Sequence, residues 1–263
     1  MIGRREFRIE EARRCAREYL HRCGVHAAEH IDVEIFAAHL GVTILSVKLD
    51  GADAQLIHVG DRSTILLSDR ISSPVIRRFN IAHELGHLLL GHPTRLAEIS
   101  PRPWMAGSPL EEIEANAFAS ELLMPTAIVR DLFDLTRADL ETPREIASVF
   151  DVSILAAAIR FTELTREPCA AVFSVEATPD TGRVKWVANS ASMELEIPRN
   201  RALSASSLAA PFFATGATTR QPMQVPDSAW FSSSPFGRVI EHVTCAPELR
   251  TTLSMVWIRR DGA

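Results

Sequence analysis

The stretch Ile81-Ala82-His83-Glu84-Leu85-Gly86-His87-Leu88-Leu89-Leu90 reads as a largely buried helix carrying three side chains that burial does not explain. On a helix, residues four apart project from one face, one turn above the other, so the imidazoles of His83 and His87 can reach a single ion. Glu84 lies about 100° around from His83. It cannot share their ligand plane, but it can reach a water held on that ion. Two nitrogen ligands, an open position and a carboxylate base are what zinc-assisted peptide hydrolysis requires. Two imidazoles and a carboxylate in an apolar helix would be costly to bury with no ion between them. Gly86, between the histidines, lowers helix propensity, which implies that another element packs closely against it.

A third protein ligand must come from outside this stretch. A continuation on the same segment would need Gly at position 90 and His at position 93, where Leu90 and Pro93 stand instead. His92 follows Gly91, where the helix is expected to end, and reads as a helix-end histidine with a surface role rather than a ligand. Downstream, Pro109-Leu110-Glu111-Glu112-Ile113-Glu114-Ala115-Asn116-Ala117-Phe118-Ala119-Ser120-Glu121-Leu122-Leu123-Met124-Pro125 reads as a second helix, opened by Ser108-Pro109 and closed before Pro125. Glu114 borders its apolar stripe of Leu110, Ile113, Ala117 and Phe118, and the small Ala115 and Ala119 would let another helix approach. Glu114 is therefore the carboxylate expected to complete the site. Glu111 and Glu112 fit a solvated acidic first turn favoured by the helix dipole.

Taken together, R-R-F-N-I-A-H-E-L-G-H-L-L-L-G-H over residues 77–92 and E-I-E-A-N-A-F-A-S-E-L-L-M-P over residues 112–125 resemble the ImmA/IrrE-type zinc metallo-endopeptidases, a likeness covering residues 30 to 130. The resemblance implies that Glu114, in E-A-N-x-F-A, joins His83 and His87 as the third zinc ligand, with Glu84 as catalytic base. Arg78-Phe79 matches the Arg-Phe that precedes the family's metal-binding helix. The whole layout is similar to the IrrE/PprI branch of radiation-response regulators. That implies an α+β chain: a zincin-like peptidase domain over residues 1–125, a helix-turn-helix-like helical segment over 126–165, and a C-terminal mixed α/β, GAF-like sensor or interaction domain over 166–263. The implied activity is site-specific cleavage that inactivates a helix-turn-helix (Xre-type) transcriptional repressor and switches on a radiation or DNA-damage stress response.

The rest of the chain supplies expectations of its own. Residues 6 to 22 have an apolar stripe of Phe7, Ala12, Cys15, Ala16, Tyr19 and Leu20 at helical spacing. Residues 32 to 40 read as a short helix capped by Asp32 and ended at Gly41. Residues 42–47, 55–59 and 63–68 read as strands of a small antiparallel sheet, separated by Asp50-Gly51 and Gly60-Asp61 turns. The segment Thr64 to Ser68 is the expected edge strand for an extended substrate. Residues 93 to 109 are expected to form a loop between the two helices and to border the cleft. Thr142 to Phe161 reads as helix, tight turn, helix, but residues 126–164 hold 4 Arg against 7 Asp or Glu, a net of −3. Phosphate contacts need positive charge, so this pair is expected to pack or to recognise protein, and direct DNA binding is not expected. From residue 166 onward, 170–175, 184–188 and 255–258 read as strands. No small-molecule ligand of this domain is indicated.

Composition bounds the class. Hydrophobic residues make up 46% and aromatics 6% of the 263 residues, which fits a globular chain and not a disordered one. No apolar run reaches membrane length, and the start, Met1-Ile2-Gly3-Arg4-Arg5-Glu6, is charged. Cys15, Cys23, Cys169 and Cys245 form no C-x-x-C pair, so reduced thiols in the cytoplasm are expected. The rival reading is a DNA-binding transcriptional regulator whose zinc site is structural; its mark would be a fourth protein ligand. A ligand sensor that has lost catalysis would not need Glu84. The sole tyrosine, Tyr19, lies too far away in sequence to name as an oxyanion donor.

Overall fold

The computed structural model describes residues 3–60, 62–93, 109–137, 139–233 and 237–258. The chain is α+β, with eight α-helices and two sheets among the described residues. It divides into two compact units: Met1–Asp131 with Ser148–Ser153, and Leu132–Ala147 with Ile154–Ala263. The expected loop over 93 to 109 lies outside the described residues, except for its end positions.

In the first unit, α1 (Arg4–Arg22) buries Ala12, Ala16, Tyr19 and Leu20 along one stripe and packs on α4 (Leu110–Leu123). The Tyr19 hydroxyl donates to the Phe36 carbonyl at 2.9 Å, which fixes α1 to α2 (Val33–His39). The α2 helix starts where the sequence indicates: the Asp32 carboxylate accepts from the amides of Glu34 and Ile35 at 2.9 and 3.1 Å. Helix α3 (Pro74–Leu89) is opened by Ser73, whose hydroxyl accepts from Ile76, with Pro74 in its first turn. Arg78, just upstream of the histidines, donates to the carbonyls of Ile31 and Phe150 and ties the helix into the unit.

Helices α3 and α4 pack face to face, and Gly86 is the reason they can. A Cβ there would lie 3.1 Å from Cδ1 of Phe118 and 3.2 Å from the α-carbon and carbonyl oxygen of Ala115. Phe118, Ala115, Ala119 and Leu122 are fully buried around this contact. Burying Phe118 alone contributes on the order of 1.5–3 kcal/mol.

The strands β1 (Val42–Val47), β2 (Ala54–Val59) and β3 (Arg62–Ser68) form a sheet ordered β1-β3-β2. This corrects the all-antiparallel expectation: β2 and β3 are antiparallel, but β1 runs parallel to β3. Residues 48–53 carry the chain past β3, and β2 then returns on its far side. Alternating side chains specify faces, not strand direction, so the sequence pattern was silent on this. It also corrects the edge strand. Residues 64–68 belong to β3, the central strand, so the free edges are those of β1 and β2.

The second unit is built on a five-stranded antiparallel sheet of β4 (Cys169–Thr178), β5 (Thr181–Asn189), β6 (Met223–Pro226), β7 (Arg238–Ala246) and β8 (Thr251–Trp257), ordered β5-β4-β8-β7-β6. Alternate residues of β4 and β8 serve two cores. Cys169, Ala171, Leu253, Met255 and Trp257 pack with Leu140, Ala158 and Phe161, while Ala170, Val172 and Val256 pack with Trp230 and Phe231. Helix α8 (Ala210–Thr215) buries Phe212 and Phe213. The short α5 (Thr126–Leu132) follows α4, and the helix pair α6 (Glu141–Phe150) and α7 (Ile154–Leu164) turns through Asp151 at φ 50°. The segment 126–165 is shared between the two units.

No helix among the described residues is long and apolar enough to cross a membrane.

Candidate metal centre

Three ligating atoms converge between α3 and α4. His83 Nε2 and His87 Nε2 are 3.0 Å apart, and the Glu112 carboxylate oxygens lie 3.2 Å from the first and 3.4 Å from the second. These separations match the edges of a tetrahedron with roughly 2.1 Å bonds, which are about 3.4 Å long. His83, His87 and Glu112 are the residues among those described whose ligand atoms cluster closely enough to hold an ion.

The protonation pattern favours a cation at this point. His83 Nδ1 lies 2.9 Å from the Asn116 side-chain oxygen, an acceptor, so the ring proton sits on Nδ1 and Nε2 presents a lone pair. His87 Nδ1 lies 2.9 Å from His92 Nδ1. A ring proton placed on that nitrogen would leave the lone pair of His87 on Nε2. Glu112 Oε2 is buried and accepts no hydrogen bond of good geometry. Three facing acceptors repel one another unless a positive charge lies between them. Burial would raise the Glu112 carboxyl, yet the two imidazoles outweigh it and hold the group well below its usual range. Burial would lower His83, but Glu112, Glu84 and Asn116 outweigh it and raise the ring's pKa. Both shifts describe a pocket that stabilises positive charge, and its donor set of two imidazoles and one carboxylate suits a divalent ion such as zinc.

The sequence reading named Glu114, and the structure places Glu114 elsewhere. Residues two apart on a helix are about 200° apart, so Glu112 and Glu114 leave α4 on different sides. Glu114 is bound by Arg8 from α1, through Nε and through Nη2 at 2.7 Å, and by His92 Nε2 at 2.8 Å. Glu112, read as a solvated dipole-favoured acid, shares its helix face with Asn116 four residues on. A carboxylate one turn before an amide that meets His83 is the signal that would have selected it. His92, expected from sequence to have a surface role, is half-buried as a residue, with its side chain only 4% exposed.

Glu84 is buried beside this cluster, 5% exposed. Burial raises its pKa above the usual carboxylate value, with His83 and His87 opposing. Its carboxylate accepts from the backbone amide of Leu56 on β2. The edge strand of the small sheet therefore borders the cluster, and a buried carboxylate, three candidate metal ligands and a strand edge lie together.

Comparisons with known proteins agree with the family resemblance drawn from the sequence. Residues 37–162 match the model of a peptidase family described as the IrrE N-terminal-like domain. That span holds α3, α4 and every residue of the cluster above. Over 209 residues the chain is 26% identical to the radiation response metalloprotease IrrE of Deinococcus radiodurans, covering 69% of this chain and 63% of that protein's length. A solved structure of a Mycobacterium tuberculosis transcriptional regulator superposes with a TM-score of 0.58 over 95% of this chain and 76% of that one, at 14% identity, a likeness of fold alone.

Proposed function

We propose that this chain, which carries an IrrE N-terminal-like domain over residues 37–162, is a zinc-dependent endopeptidase with His83, His87 and Glu112 as protein ligands and Glu84 as the catalytic base. The convergence of three lone-pair-bearing atoms beside a buried carboxylate carries this reading. In this reading Glu112, and not the Glu114 expected from sequence, is the third ligand.

Bound there, zinc would supply an acidified water and polarise a peptide carbonyl. The residues of the chain do the rest. Asn116 holds the His83 ring in the tautomer that directs Nε2 inward. Glu84, held by the Leu56 amide and raised in pKa by burial, is suited to accept a proton from the attacking water and pass it to the departing amine. The free edge of β2 offers backbone groups to an extended peptide, the general strand-addition mode of peptide recognition.

On the family resemblance read from the sequence, we propose that the substrate is a helix-turn-helix (Xre-type) transcriptional repressor and that its cleavage switches on a DNA-damage response in the cytoplasm; the relative's description as a radiation response metalloprotease fits a protease in such a response. A peptidase working among its neighbours must select its target, so one or few cuts are expected. The excess of acid over base in residues 126–164 speaks against the rival reading of a DNA-binding regulator with a structural zinc site. The test is incubation of the purified chain with helix-turn-helix repressors from its own genome, with and without zinc, and mass analysis of the products. Zinc-dependent cleavage at one or two positions supports the proposal. Broad digestion of casein-like proteins, or sequence-specific DNA binding at physiological salt with no cleavage, defeats it.

A further inference from the structure

Behind the ligand His87, three side chains form a line that the peptidase reading does not use: His92, Glu114 and Arg8. Local structure builds the line from the sequence. Helix α3 ends with Gly91 at φ +67°, a left-handed conformation that glycine adopts without strain. The Gly91 amide donates to Leu88 and the His92 amide to His87, at 3.2 and 3.0 Å. This paired closure folds the chain back along the last turn and sets the His92 ring against His87, centroids 5.0 Å apart. Glu114 then meets His92 from α4, and Arg8 meets Glu114 from α1.

The direction of each hydrogen bond follows from the far end. Arg8 is donor only, and the ionised Glu114 is acceptor only. His92 Nε2 must therefore donate to Glu114 Oε2, at 2.8 Å. A neutral His92 then presents a lone pair at Nδ1, and His87 Nδ1 must donate to it, at 2.9 Å. That leaves the His87 lone pair on Nε2, facing His83 and Glu112. No other arrangement satisfies all three contacts with a neutral His92.

We infer that Arg8, Glu114 and His92 act as a positioning relay that fixes the tautomer and orientation of His87 as a metal ligand, and that Glu114 serves the metal through His92 rather than by binding it. The inference rests on the metal centre proposed above. Partners of this kind on a ligating imidazole are worth about 10–100-fold in metal affinity.

Two measurements on the full chain test it. In the zinc-loaded, unaltered protein, nitrogen–proton correlation spectra of the histidine rings should show the proton on Nδ1 of His87 and on Nε2 of His92. A proton on His92 Nδ1 overturns the relay. The second is cobalt(II) affinity, by competition with a chelator, together with the visible absorption band of the cobalt-loaded protein. His92→Phe and Glu114→Ala should each still bind one cobalt(II), about 10–100-fold more weakly and with an altered band. His92→Gln, whose carbonyl can accept from His87 while its amide donates to Glu114, should recover most of the loss. Glu112→Ala should lose far more than either. Unchanged affinity and band in His92→Phe would overturn the relay, as would abolition of binding by Glu114→Ala with retention in Glu112→Ala, which would make Glu114 a ligand. If the unaltered chain binds neither zinc nor cobalt(II), the metal centre itself fails and the relay with it.

Discussion

Gly86 on α3 and Ala115 on α4 approach so closely that the Cβ Gly86 lacks would lie 3.2 Å from the Ala115 carbonyl oxygen. Backbone cannot yield as a flexible side-chain tip can. This approach sets how near the helix bearing His83 and His87 comes to the helix bearing Glu112 and Asn116, so it positions the whole ligand set.

Two effects oppose each other in Gly86→Ala. Alanine is about 1 kcal/mol better than glycine inside a helix, whereas overpacking a close contact costs roughly 1–3 kcal/mol. Because the obstruction includes main-chain atoms and the buried Phe118 ring, the second effect is expected to win. Thermal unfolding should show a lower Tm for the variant, and zinc affinity should fall with it. A variant as stable as the parent would mean the helices can part without cost.

Glu84→Gln separates chemistry from ligation. The amide can still accept from Leu56 and fills the same volume, so the fold should persist and metal content should be nearly unchanged. Loss of a positioned base typically costs about 10²–10⁴ in rate. Zinc content by elemental analysis, read beside the cleavage rate on a repressor substrate, distinguishes the roles. Substantial cleavage by the Gln variant would remove Glu84 from the mechanism.

Asn116 is expected to matter through His83. Asn116→Ala removes the acceptor of the Nδ1 proton, and metal affinity should drop about 10–100-fold. Asn116→Asp keeps an acceptor and should retain most of it. Equal loss in both variants would show that packing, and not the hydrogen bond, is what Asn116 supplies.

The helices of the centre were legible because each carries local punctuation: Ser73-Pro74 and Gly91 around α3, and Pro109 and Pro125 around α4. The α1 stripe of Ala12, Ala16, Tyr19 and Leu20 and the Asp32 cap of α2 were equally local, whereas Phe7, expected in that stripe, is 55% exposed. What escaped the sequence was set by contacts across the chain. Glu112 and Glu114 are both acids near one apolar stripe; Glu112 shares a helix face with Asn116 and meets the histidines, while Glu114 is held by Arg8 and His92. Parallel pairing of β1 with β3 is likewise a matter of path and not of alternation. Strand β7 was missed for another reason. It runs through Glu241 and His242, which are 0% and 1% exposed, so a buried strand was disguised by polar letters. His242 is satisfied by the Leu140 amide and the Arg220 carbonyl.

Glu241 leads to a prediction about pH. Its carboxylate accepts from the Leu208 amide and the Trp230 indole at 2.9 Å each, and from the Ser254 hydroxyl at 3.0 Å. Burial raises its pKa in the folded chain above the ordinary 4.5, with these hydrogen bonds opposing. A group whose folded pKa is raised contributes stability that is fully present below its unfolded value and is lost as pH climbs through the folded one. Wild type should therefore lose stability relative to Glu241→Gln as pH rises above the ordinary carboxylate value of 4.5. The glutamine carbonyl can keep the Leu208 and Trp230 bonds, while its amide can donate to Ser254. The Tm of wild type minus that of the variant, followed across this range, should fall steadily. A difference that grows towards neutral pH would mean that the hydrogen bonds to the charged carboxylate outweigh the cost of burying it.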